Sequence, residues 1–229
     1  MLIYLANAAL KEADYDLDAS VAIAARERFA GVQLYLGKDN QNDLGLLDRV
    51  ATKAQKAGIG VIVHLPPKVT RPIARAARRL LQFQPQPRAI AHYDPRRQVP
   101  EITGVQIGLE NAVVGLDRRY YRRLLAERRS RATFLAFDVP RLFARARADR
   151  ASVYSFAKQM LDALHSDDVL HLIDQRRPGN ERANWCVLGD GLLGPLLPDL
   201  AAHSGPIVLE FETLHDALES KKTLERQAT

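Results

Sequence analysis

Short runs of apolar and β-branched residues alternate with longer amphipathic segments from one end of the chain to the other. Eight runs read as strands: Leu2–Leu5, Val32–Leu36, Gly60–Leu65, Arg88–Tyr93, Val105–Glu110, Thr133–Asp138, Val169–Ile173 and Ile207–Phe211. The segments between them carry apolar residues at helical spacing, with acceptor side chains placed to cap them. Asp18 precedes Ala19–Phe29, Asp43 precedes Leu44–Ala57, Asp117 precedes Arg118–Arg129, and Thr213 precedes Leu214–Glu225. Gly31 and Gly58 stand where a left-handed cap would end a helix just before a strand.

Regular alternation of strand and helix implies a parallel sheet, because parallel neighbours need crossover connections. The strands recur at roughly 30-residue intervals, the size of one βα unit. Eight such units close naturally into a barrel. The predicted fold class is therefore α/β, a single (β/α)8 TIM barrel over residues 1–229. Its connection between strands four and five is shortened, since Tyr93 and Val105 leave little room and Pro95 and Pro100 disfavour a long helix. A doubly wound open sheet is the runner-up, but it would normally place a glycine-rich phosphate loop after its first strand. "LIYLANAALK" has none.

At 229 residues the chain is the size of one barrel and needs no staples to bury its core. Cys186 is its one cysteine, so no intrachain disulfide can form and a reducing compartment is the natural setting. Met1–Leu10 lacks the basic start of a signal peptide, and no stretch reaches the ~20 apolar residues of a membrane span. A cytoplasmic protein is expected. The net charge of +6 raises the question of nucleic acid. Its carriers, Arg71–Arg79, Arg118–Arg131 and Arg141–Arg150, alternate with Ala and Leu as on solvated helix faces, so a nucleic-acid partner is disfavoured.

Chemistry in a barrel sits at the C-terminal ends of the strands. There the third strand ends in His64 ("GVIVHLPP"), the fourth in His92 ("AIAHYDP") and the fifth in Glu110 ("GVQIGLEN"). The sixth ends in Asp138 ("TFLAFDVP"), the seventh carries His171 ("DVLHLIDQ") and the eighth carries Glu210 ("GPIVLEFE"). Period-two alternation puts Gln106, Gly108 and Glu110 on one face, and Phe134, Ala136 and Asp138 likewise. A lone strand histidine is more often a satisfied core residue, and a lone strand-end glutamate is usually solvated. Six in register are not independent coincidences. Converging bare carboxylates would repel one another, and a divalent cation removes the conflict. Mixed carboxylate and imidazole donors suit Mn, Zn, Co or Fe better than Ca.

On these residues the chain resembles the xylose isomerase-like barrels: tagatose-type ketose epimerases, hydroxypyruvate isomerases, inosose dehydratases and endonuclease IV. The resemblance runs from "GVQLYL" to "VLEFE". It implies a metal held by Glu110 in "LEN", Asp138 in "FDVP", His171 in "LHLID" and Glu210 in "LEFE". It also implies a substrate-binding arginine at Arg177, six residues beyond the metal histidine, and matches the "GDG" at Gly189–Gly191 to a turn before the last helix. Three departures stand out. A histidine usual three residues after the strand-six aspartate is Arg141 here, a second before the glycine-acid-glycine turn is Trp185, and an aspartate two residues before that is Ala183. The third zinc of an endonuclease IV-like site is therefore missing its ligands, while His64 and His92 keep a possible second metal beside Glu110.

The resemblance implies a divalent-metal-dependent isomerase or epimerase of a small sugar or hydroxy-carbonyl compound. Glu110 and Glu210 would exchange a proton with the carbon beside the carbonyl, through a metal-stabilised enediolate. Arg177 and Arg141 would hold the substrate, and an arginine at 141 favours an anionic one. Two other readings stand beside it. A two-metal phosphoesterase or AP-endonuclease-like enzyme would use His64 and His92 with Glu110 as the bridge, and a degenerate barrel would serve only as a binding or scaffold protein. The expected partner is a small molecule, with self-association as a homo-oligomer open. Asp174 stands where it could orient His171 or receive Arg177. Cys186 reads as buried and inert, and His165, His203 and His215 read as surface residues.

Overall fold

Each strand-forming run in the sequence becomes one stave of a closed parallel barrel. The structure, a computed structural model, describes residues 1–11, 14–37, 39–145, 149–179 and 182–228. The staves are β1 (Leu2–Ala6), β2 (Gly31–Tyr35), β3 (Gly60–His64), β4 (Arg88–Tyr93), β5 (Gln106–Asn111), β6 (Leu135–Asp138), β7 (Val169–Leu172) and β10 (Pro206–Leu209). They follow one another around the barrel in the order β1-β10-β7-β6-β5-β4-β3-β2. Around them lie α1 (Leu17–Arg26), α2 (Leu44–Ala57), α3 (Arg71–Leu80), α4 (Arg118–Arg131), α5 (Pro140–Phe143), α6 (Arg150–Asp162), α7 (Leu197–Ala201) and α8 (Leu214–Gln227). The connection from β4 to β5 holds no helix, only a turn closed by the Ile102–Val105 bridge, as its length and prolines predict.

Three predicted caps form as read. Asp43 accepts Leu46 N–H, Asp117 accepts Arg119 and Tyr120 N–H, and Thr213 accepts Asp216 N–H. The first helix differs. It begins at Leu17, two residues earlier than expected, because Asp16 rather than Asp18 accepts Ala19 N–H at 2.7 Å. Asp18 is thereby left on the helix surface, where it pairs with Lys53 at 2.6 Å. Gly58 does end α2 in the left-handed region, with φ 66. Gly31 does not cap a helix. It opens β2, and a Cβ there would meet the Tyr4 ring at 2.1 Å, so its glycine serves close packing inside the barrel. The expected basic segment Arg141–Arg150 is not one helix: α5 ends at Phe143, α6 starts at Arg150, and residues 146–148 lie outside the described ones.

The barrel interior is filled by Ala6, Ile62, Ile90, Phe134, Ala136, Val169 and Val208, with Tyr4 against them. Phe134 takes the space that Gly108 leaves, and a Cβ at Gly108 would stand 2.1 Å from its ring. At the N-terminal end the Arg88 guanidinium lies 3.9 Å from the Phe134 ring centre and closes the interior on that side. Nearby, Asp168 is fully buried; it accepts Leu135 N–H on one oxygen and His165 N–H and Arg128 Nη2 on the other. His203 belongs to this region rather than to the open surface, since it is half-buried with Nε2 3.0 Å from the Asp168 carbonyl oxygen.

A two-stranded antiparallel ribbon, β8 (Asp174–Gln175) with β9 (Trp185–Cys186), extends from the end of β7. Asp174 neither orients His171 nor receives Arg177. It is buried and accepts the backbone N–H groups of Gln175, Gly189, Gly191 and Leu193, which shapes the Gly189–Gly191 turn. Cys186 is buried as expected, and burial pushes its thiol up to about 11.

Candidate functional site

Strand register decides which polar ends meet. His92 pairs in register with Glu110 across β4 and β5, and Asp138 with His171 across β6 and β7. Tyr35 is in register with His64 across β2 and β3. Glu210 follows directly after β10, where its N–H donates to the Leu172 carbonyl at 3.1 Å. His64, His92, Glu110, Asp138, His171 and Glu210 therefore converge on the C-terminal mouth of the barrel, as their strand-end positions predict.

Glu110 is the hub. Its side chain is buried, and its two oxygens face different companions. Oε2 lies 2.8 Å from His64 Nε2 and 3.2 Å from His92 Nε2. Oε1 lies 3.8 Å from His171 Nδ1 and 3.5 Å from Arg141 Nη2. Burial alone would push this carboxyl up, but His64, His171 and His92 hold it well below the usual carboxylate range. Its contact with Glu110 outweighs burial at His92 and raises that ring. At His171 burial favours the neutral ring, yet Glu210, Glu110 and Asp138 together raise it to about 9. Asp138 goes the other way: burial pushes it up to about 6 despite the adjacent Arg141.

The remaining carboxylate, Glu210, is partly open to solvent. Its Oε1 lies 3.4 Å from His171 Nδ1 and accepts Gln33 Nε2 at 2.7 Å. Asp138 is fixed from behind by Asn111, whose Oδ1 accepts its N–H and whose Nδ2 donates to its carbonyl. Gln33 and Asn111 were not singled out from the sequence. The signal was there in each: a polar residue inside the apolar run "GVQLYL", and an amide directly after the glutamate in "LEN".

The donor chemistry fits a divalent cation. His64 Nδ1 and both ring nitrogens of His171 are buried without a hydrogen-bond partner, a costly condition that a metal bound at one nitrogen of His171 would relieve in part. Among the described residues, two groups bring three ligand atoms within 4.8 Å of one another. One is His64, His92 and Glu110. The other, His165, Asp167 and Asp168, lies at the opposite end of the barrel, where the Asp168 oxygens are already engaged. The set Glu110, Asp138, His171 and Glu210 is more widely spread, and Arg141 reaches between Asp138 and Glu110. Arg177 is exposed and donates its Nε–H to Asn184 Oδ1 at 2.7 Å; among the described residues no hydrogen bond or ion pair joins it to the carboxylates. A cavity of about 470 Å³ opens beside His92, lined among others by Pro66, Lys68, Asp94, Arg97 and Pro100.

No protein-family model and no curated protein matches the chain. Among solved structures, it is similar to a protein from Thermus thermophilus soaked with zinc chloride, at 18% identity and TM-score 0.66 over 100% of this chain and 98% of that one. It is similar to a xylose isomerase domain protein from Planctomyces limnophilus, at 16% identity and TM-score 0.64 over 99% and 96% of the two chains. It is also similar to D-psicose 3-epimerase with D-tagatose from Clostridium cellulolyticum, at 14% identity and TM-score 0.54 over 100% and 96%. At these identities the likenesses show the fold alone, a closed parallel (β/α)8 barrel. No helix among the described residues is long and apolar enough to cross a membrane.

Proposed function

We propose that the chain is a divalent-metal-dependent isomerase or epimerase of a small sugar or hydroxy-carbonyl compound. The observation that carries this reading is the pair of carboxylates flanking His171 Nδ1, Glu110 at 3.8 Å and Glu210 at 3.4 Å. A pair so placed can remove a proton from one position of a small substrate and return it at another. Glu110, Asp138, His171 and Glu210 would hold the metal, and His64 and His92 would hold a second beside Glu110. When bound, Mn, Zn, Co or Fe supplies the Lewis acidity that makes a carbon beside a carbonyl a workable acid.

Glu210, partly exposed and hydrogen-bonded by Gln33, would meet the substrate first and take the proton. Glu110, buried on the inner side with its pKa lowered by its histidines, would take the proton in the reverse direction, and in the forward direction its protonated form would return one to the substrate. Return of the proton to the opposite face of the same carbon gives epimerisation, and to the neighbouring carbon gives isomerisation. Arg141 and Arg177 would bind polar or anionic groups of the substrate. The similarity in fold to a D-psicose 3-epimerase supports the class of substrate.

A second reading, a two-metal phosphoesterase, is favoured by the closeness of His64, His92 and Glu110 and by the division of the Glu110 oxygens. One experiment separates the two. Protein loaded with Mn²⁺ is incubated with small ketoses and hydroxy-carbonyl acids in deuterated buffer and followed by NMR. Deuterium should enter the carbon beside the carbonyl, and Glu210→Gln should abolish that exchange. Hydrolysis of a phosphodiester that depends on His64 and His92, with no exchange, would establish the second reading instead. Neither activity, and no bound metal, would leave a scaffold barrel.

A further inference from the structure

Arg141 stands on α5, the short turn that follows β6, and Pro140 begins that turn. Its backbone N–H lies 3.3 Å from Asp138 Oδ1, and its Nε–H donates to Asp138 Oδ2. The same guanidinium extends Nη2 to 3.5 Å from Glu110 Oε1. One permanent cation therefore spans the two buried carboxylates on this side of the mouth. The His64 and His92 side of Glu110 is built differently, from imidazoles that can surrender a proton and ligate. A guanidinium can do neither.

Buried carboxylates require a counter-charge, and Arg141 supplies one with no metal present. A divalent ion ligated by Asp138 and Glu110 Oε1 would occupy the same ground, at a separation where repulsion between the two cations is strong. Each draws on the charge and space of the same oxygens, so the two compete for them. The Arg141 side chain is 26% exposed, so a route outward to solvent is open to it.

We propose that Arg141 is a built-in counter-cation that competes with a divalent metal for Asp138 and Glu110. The first metal then enters the His64, His92 and Glu110 group, and occupation of the Asp138 side requires Arg141 to swing away. The inference rests on the metal-dependent reading given above, but it makes a claim that reading does not: removing a cation should strengthen metal binding.

The test is calorimetric titration of chelator-stripped protein with Mn²⁺, comparing the unaltered chain with Arg141→Ala. Expected is at least a tenfold tighter Kd in the variant, or a second equivalent bound. Arg141→Met keeps the aliphatic stem and guards against misfolding, and it should behave like Arg141→Ala. Arg141→Lys should keep binding weak. The gain should vanish in the Asp138→Asn background, where a merely looser loop would still show it. Equal or weaker Mn²⁺ binding in both neutral variants overturns the inference and leaves the metal-dependent function standing. No Mn²⁺ binding by any form overturns both.

Discussion

The amide of Asn111 grips Asp138 by its backbone: Oδ1 accepts the Asp138 N–H at 2.7 Å, and Nδ2 donates to the Asp138 carbonyl at 2.9 Å. Both residues end their strands, and both are buried. This double bond between β5 and β6 sets where the Asp138 carboxylate points. Asn111→Ala leaves two buried backbone groups without these partners. It should cost about 2–6 kcal/mol in urea unfolding, at about 1–3 kcal/mol for each unsatisfied group. Metal affinity should fall with it. A variant as stable as the unaltered chain would show that water replaces the amide.

Gln33 has a different role, because it holds a side chain and not the backbone. Its Nε2 donates to Glu210 Oε1 at 2.7 Å, while its own Oε1 is buried without a partner. Gln33→Leu removes that unsatisfied oxygen together with the bond, so stability should change by less than about 1 kcal/mol. Proton exchange should nevertheless drop by about 10–100-fold, the usual penalty for losing the support of an active group. Unchanged exchange kinetics would mean that Glu210 needs no steering.

Gly108 and Phe134 are complementary. A Cβ at 108 would lie 2.1 Å from the ring, which packs among Ala6, Ile62, Ile90, Ala136, Val169 and Val208 in the interior. Gly108→Ala should therefore destabilise by about 1–3 kcal/mol through overpacking. Phe134→Leu should be destabilising alone and should relieve part of the Gly108→Ala penalty in the double variant. Strict additivity in a double-mutant cycle would refute the clash.

His203 makes stability depend on pH. Burial lowers its pKa below the ordinary value of 6.5, although Asp168 pulls the other way. The unfolded chain then binds a proton more readily than the folded one. This group costs nothing above about pH 6.5, and it destabilises the fold progressively as the pH falls below that value. Its Nε2 lies 3.0 Å from the Asp168 carbonyl, a contact that a glutamine amide can replace. Between about pH 7.5 and about pH 5, the melting temperature of the unaltered chain should fall further than that of His203→Gln. Parallel curves would remove His203 as a cause.

Much of this molecule is written locally. Alternation with period two and amphipathic spacing define all eight staves to within a residue or two, and Asp43, Asp117 and Thr213 mark their helix starts because a cap involves only neighbours in the chain. The strand-end positions of His64, His92, Glu110, Asp138, His171 and Glu210 follow from that same pattern once the barrel closes. Local pattern fails where competing partners are near or distant ones decide. Asp16 and Asp18 are both capping residues, and the choice fell to Asp16, which leaves Asp18 for Lys53 on α2. The β8–β9 ribbon is two residues per strand, too short for any periodicity, and it is secured by four backbone N–H groups gathered on Asp174. The division of Glu110 between two histidines on one oxygen and His171 with Arg141 on the other depends on register and rotamer across four strands and a turn. Chain neighbours carry no information about these long-range contacts, so only the folded barrel could assign Gln33 to Glu210 and Arg141 to Glu110.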